Sequence, residues 1–136
     1  MKPGVERLET LDGELVREIL EGERPLLDLY DKLRQEATQE PHKAIIEQIL
    51  EQRRFQLNCL AFLETRLPAE FKCLGIVTEM EVNVRKGPSG RTQLLTKVDK
   101  GTALIVMDYQ GNWVHVQLSD GTVGYIFKAY VRCVSV

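Results

Sequence analysis

Val82-Asn83-Val84-Arg85-Lys86-Gly87-Pro88-Ser89 decides the fold of this chain. Two β-branched residues alternate with polar ones, then a glycine and a proline break the extended run. Within it, Asn83-Val84-Arg85 reads as a short extended piece entering a loop. Gly87-Pro88-Ser89-Gly90 combines a permissive residue with a rigid one, the composition of a turn.

Working outward, the same grammar recurs from Cys73 to the C-terminus. Leu74 to Thr78 reads as a first strand and Leu94 to Val98 as another, turned by Asp99-Lys100-Gly101. Leu104 to Met107 is strongly strand-forming, Gln110-Gly111-Asn112 is a turn, and Trp113 to Leu118 alternates behind it. Asp120-Gly121 is a hairpin signal before Val123-Gly124-Tyr125-Ile126. Lys128-Ala129-Tyr130 suits a single helical turn, and Val131 to Val134 closes the sheet. Five or six short strands at this spacing predict a small barrel or two packed sheets.

Asn83 to Ser89, Lys100-Gly101-Thr102, Trp113 to Val116 and Gly121 to Ile126 stand in the order and spacing of a bacterial SH3 (SH3b) domain, and residues 74–136 resemble that family. Tyr130 resembles the family's tyrosine before the last strand. The resemblance implies an SH3-like barrel that binds a peptide or protein segment and does no chemistry. It also implies, as the alternative, a module that binds cell-wall peptides.

Upstream the period changes to that of helices. Leu8, Leu11, Leu15, Ile19 and Leu20 mark a helix over 5–22, with Gly22 as its stop. Pro25 can open a second helix running to Gln39, and Pro41 a third over 41–67 that Leu67-Pro68 ends. On the third helix, positions 46, 50, 53, 57, 60, 64 and 67 follow a 4-3 spacing broken by Arg53 and Glu64. The expected architecture is therefore α+β in two units: a helical hairpin or three-helix bundle over 1–67, a linker over 68–73, and the barrel over 74–136. Phe55, Phe62 and Phe71 add apolar area beyond a small bundle's needs, so the helices are expected to self-associate into a homo-oligomer. Arg53 and Arg54 read as a solvated face countered by Glu47, Glu51 and Glu64.

Composition narrows the function. The chain carries a net charge of −2. Residues 1–72 hold 11 Lys and Arg against 15 Asp and Glu, and residues 73–136 hold 7 against 5. Neither half has the dense basic face that nucleic acid requires. No apolar run reaches the length of a membrane span, and Met1 to Gly4 leads into a charged segment. A cytoplasmic protein is expected, with export as the alternative if a leader has been removed. Cys59, Cys73 and Cys133 are an odd count too widely spaced for a disulfide framework; Cys73 and Cys133 fall on the first and last strands, which a bridge could join under oxidation, but reduced thiols are the simpler expectation.

No catalytic, cofactor or metal motif emerges. A cysteine nucleophile needs a base in reach, and His42 and His115 are the chain's two histidines, set apart on a helix start and a strand. The glycine loop at Gly87 opens no helix and is not followed by a Lys-Ser/Thr pair. Candidate ligand-binding residues are Tyr109, Trp113 and Tyr125, flanked by Arg85 and Arg91 of the loop, with Phe127 and Tyr130 as further aromatics. The competing arrangement docks the barrel on its own helices through those aromatics and leaves recognition to the helices.

Overall fold

The computed structural model describes residues 13–135. Two helices, α1 (Gly13–Glu36) and α2 (Glu40–Phe62), form an antiparallel hairpin. A seven-stranded sheet follows: β1 (Cys73–Val77), β2 (Val82–Arg85), β3 (Leu94–Val98), β4 (Ala103–Gln110), β5 (Trp113–Gln117), β6 (Val123–Phe127) and β7 (Val131–Ser135), with a 3₁₀ turn at Lys128–Tyr130. The strand order is β3-β2-β6-β5-β4-β1-β7, all neighbours antiparallel, and the sheet is not closed. It curls as an SH3-like barrel does, around Val77, Val82, Val84, Leu104, Val106, Val114, Val116 and Ile126.

The hairpin form of the helical unit stands, and the three-helix reading does not. Residues 13–22 and 25–36 are one helix running through Pro25. An interior proline costs roughly 3 kcal/mol by removing a hydrogen bond and crowding the preceding turn. Contacts with α2 on both sides of Pro25 offset this. Arg53 donates to Glu23 at 2.8 Å and lies over the Tyr30 ring, while Arg34 donates to Glu47 at 3.0 Å. Residues 5–12, with Leu8 and Leu11, lie outside the described residues.

The 4-3 row of α2 faces α1 within the same chain. Ile46 and Leu50 are buried there. The two charges that interrupt the row meet partners across the hairpin, Arg53 with Glu23 and Glu64 with Arg17. Arg53 is thus a half-buried cross-hairpin link and not part of a solvated face, and Glu47 and Glu51 pair with Arg34 and Lys100 instead. α2 ends at Phe62, five residues before Leu67. The Leu63, Glu64 and Thr65 amides reach back three residues, and Thr65 Oγ1 lies 3.1 Å from Ala61 O and 2.7 Å from Ser119 O in the β5–β6 turn.

The opposite face of α2 sits on the sheet. Phe62, Ala103 and Ile105 are buried together, with Phe55, Cys59, Leu67, Phe71, Leu74 and Met107 around them. The phenylalanines expected to drive self-association therefore fill the joint between helix and sheet. Both faces of β4 are covered, which is why Ala103 to Val106 reads as an unbroken apolar run. Asn58 Oδ1 accepts the Ala103 amide at 3.0 Å, and Gln117 Nε2 donates to Arg66 O at 3.2 Å. The barrel does dock on its helices, but through Leu74, Ala103, Ile105 and Met107, and Trp113, Tyr125 and Phe127 are left outside the joint.

Cys73 and Cys133 are joined in a disulfide between β1 and β7, against the expectation of reduced thiols. The two strands are neighbours, and the Cα atoms lie 5.8 Å apart, within the span a bridge requires. Cys59 is free and half-buried; burial pushes its thiol up, away from the reactive thiolate.

Candidate functional site

Strand alternation sorts the aromatic residues. Val114 and Val116 of β5, and Gly124 and Ile126 of β6, point into the core. Trp113, His115, Tyr125 and Phe127 take the outer face. Register then pairs them across the strands, Trp113 with Phe127 and His115 with Tyr125. The Trp113 and Phe127 rings meet edge to face at 5.6 Å, and the 3₁₀ turn brings Tyr130 to 5.6 Å from Phe127. These three rings form a ridge.

The ridge is one wall of a groove of about 490 Å³. Glu79, Met80 and Glu81 of the β1–β2 connection, with Val82, Asn83 and Arg85 of β2, form the other, and Gly90 also lines it. Phe127 is 37% exposed, Tyr130 39% and Met80 62%, so apolar area is open to a ligand. Two carboxylates and one guanidinium at the rim leave it weakly acidic. Glu81 adopts φ 51°, a left-handed conformation costing a residue with a side chain roughly 1–2 kcal/mol. Its amide is held by Asp99 Oδ1 at 3.0 Å. Backbone strain of this kind gathers at ligand clamps and turns.

Arg85 spans two jobs. Its Nη1 donates to Thr92 O at 2.9 Å, bracing the loop after β2 from within. Thr92 Oγ1 completes the brace, accepting the Gly87 amide at 3.2 Å and donating to Ser89 O at 2.7 Å. Arg85 also opposes Tyr125, which opposes His115, which opposes Asp108. A polar and aromatic row thus crosses four strands beside the ridge, with the His115 and Tyr125 rings stacked at 4.5 Å.

Of the five candidates, Trp113 and Arg85 line the groove, and Tyr125 lies one row away. Tyr109 lies elsewhere. β4 has an irregular register between Val106 and Asp108, after which Tyr109 opposes Val114 and so takes the other face of the sheet from Trp113. There its hydroxyl is 3.5 Å from Cys133 Sγ and the Lys128 ammonium is 5.4 Å from its ring. Arg91 is exposed at the loop tip, outside the groove lining. Glu79, Met80 and Glu81 escape sequence reading because a connection between strands shows no periodicity. Among the described residues, no group of three potential ligands can hold a metal ion, and no helix is long and apolar enough to cross a membrane.

Residues 81–132 match the family model described as bacterial SH3 domain. Residues 81–132 form a bacterial SH3 domain. The match takes in β2 to β6, the 3₁₀ turn and the start of β7, and so most of the groove, while β1 and the helices lie outside it. Over 62 residues, 46% of the chain, the sequence is 32% identical to the putative N-acetylmuramoyl-L-alanine amidase YrvJ of Bacillus subtilis (strain 168). That stretch is 12% of the amidase's length, so the similarity concerns one module of a much longer protein.

Burial lowers the His115 imidazole below its ordinary value of 6.5, and the Asp108 carboxylate raises it back only in part. The folded SH3 domain therefore takes up this proton less readily than the unfolded chain. Its stabilising effect is full above the unfolded value and is lost as pH falls through the lowered folded value. We expect His115→Gln to reduce the loss of stability between pH 7.5 and 5, read as the shift in urea midpoint of each protein. Equal shifts in both proteins would contradict the assignment.

Proposed function

We propose that the SH3 domain binds a peptide segment in the groove between the Trp113–Phe127–Tyr130 ridge and the 79–85 wall. The observation that carries this reading is the ridge itself: Trp113 and Tyr130 each in contact with Phe127 between them, two of the three rings more than a third exposed, lining an open groove. Aromatic side chains supply contact area at little entropic cost and dominate binding energy at interfaces. Glu79 and Glu81 at the rim favour a peptide bearing an ammonium group, which the ring faces also attract. The role is recognition, with no catalytic step assigned to the groove.

Among peptide sources, a cell-wall peptide is favoured over a cytosolic protein segment by two observations. The similar stretch of the Bacillus subtilis protein belongs to a putative N-acetylmuramoyl-L-alanine amidase, an enzyme named for wall chemistry. The Cys73–Cys133 disulfide suits an oxidising compartment, where such bridges persist. Both favour the export alternative over the cytoplasmic location expected from the sequence.

The test is co-sedimentation of the full-length protein with purified cell-wall sacculi. Phe127→Ala and Tyr130→Ala, both at exposed positions, are expected to weaken retention by at least about tenfold. Tyr109→Ala, on the other face, is expected to be retained as the parent is. Retention that ignores Phe127 and Tyr130 would refute the groove. No retention of the parent would refute the wall ligand and leave a cytosolic peptide to be sought.

A further inference from the structure

The helical hairpin carries an apolar face that nothing in the chain's described residues covers. On α1 the residues turned to α2 are Val16, Glu23, Tyr30 and Arg34. One residue before each of the first and last of these lie Leu15 and Leu33, 59% and 47% exposed, and between them Ile19 and Leu29 are 49% and 59% exposed. With Gly22 and Leu26 they occupy positions 15, 19, 22, 26, 29 and 33. This is an unbroken 4-3 repeat along roughly 27 Å of helix. Ile45 of α2, 60% exposed, likewise precedes the buried Ile46. In two antiparallel helices the same one-residue offset from the contact row points to the same side of the pair. Ile45 and the α1 repeat therefore share one side of the hairpin, while the sheet occupies a different face of α2.

We propose that this face pairs with a second copy of the chain, α1 against α1 in antiparallel orientation. The repeat sets the layers. Leu15 packs against the partner's Leu33 and Ile19 against the partner's Leu29. Leu26 fills the space over the partner's Gly22, where a side chain's first carbon would meet nothing within 4 Å. Charge sets the direction. One flank of the repeat, Val16, Glu23 and Tyr30, is committed to α2. The free flank is Glu18, Pro25 and Lys32. A parallel pair would set free flank against committed flank. An antiparallel pair sets free flank against free flank and places Glu18 beside the partner's Lys32 twice, about a twofold axis near Pro25. Two hairpins then make a four-helix bundle. The pairing is independent of what the SH3 groove holds, and it would present two grooves at once, adding avidity.

Sedimentation equilibrium of the full-length protein tests this. The expected mass is twice the 15.5 kDa of one chain. Leu29→Glu, at an exposed position, is expected to yield monomer with unchanged circular dichroism. Glu18→Lys and Lys32→Glu singly are expected to raise the dissociation constant roughly 5-fold, and the double exchange to restore it. A parallel pair would show no such restoration. A monomer up to about 100 µM, which includes coverage of the face by residues 5–11 of the same chain, would overturn the proposal. So would a dimer indifferent to Leu29→Glu, or a double exchange that fails to recover the parent affinity.

Discussion

Replacing Gly124 by alanine is expected to destabilise the SH3 domain by about 2–3 kcal/mol. A first side-chain carbon at this position would lie 2.7 Å from the Arg85 carbonyl oxygen, 2.8 Å from Val84 Cγ1 and 3.2 Å from Leu95 Cδ1. The nearest obstacle is backbone, which cannot rotate away. Relief would require β6 to move from β2, and these strands are registered through one pair, Arg85 with Tyr125. β2 and β3 hang on that junction, and so does the 79–85 wall of the groove. In urea the midpoint should fall by about 1 M or more, given the usual dependence on denaturant for a domain of this size. Gly90→Ala, where an added carbon meets nothing within 4 Å, serves as the control and should change little. Equal behaviour of the two variants would refute the close approach at Gly124.

Reducing the Cys73–Cys133 bridge is expected to cost about 4 kcal/mol on the loop-entropy account, because it closes a loop with a sequence separation of 60 residues. That is a large share of the roughly 5–15 kcal/mol by which domains are stable. The bridge ties β7, at one end of the open sheet, to β1. Cys73 is buried in the core whereas Cys133 is exposed, so reductant can reach the bond from the β7 side. Urea unfolding with and without dithiothreitol measures the difference. A change below about 1 kcal/mol would show that strand pairing alone holds β7.

The strands were legible because their two periods are pure: β2, β5 and β6 alternate along their length, and Gly111 and Gly121 adopt the positive φ that their turns require. The helical unit was harder. Gly22 and Pro25 carry stop and start signals that tertiary contacts override, since Glu23, Tyr30 and Arg34 all meet α2. The disulfide was legible as a neighbouring pair of strands but not as a bond, because pairing follows from distance and compartment, and the cysteine count is odd. The groove was legible by halves. Trp113 and Arg85, named as candidates from the sequence, line it, whereas Tyr109 is turned to the other face of the sheet by a register irregularity that leaves no mark in composition. Glu79 to Glu81 join the groove through a strained connection, and only the folded chain brings them opposite Phe127 and Tyr130.

Trp113 is the chain's one tryptophan, and it stands in the groove wall. Titrating soluble cell-wall peptide fragments into the full-length protein while recording its fluorescence tests the central claim directly. A saturable change in intensity or wavelength is expected, and Phe127→Ala should shift it to higher concentration. Fragments that bind, by sedimentation, without altering Trp113 emission would place the site elsewhere and contradict it.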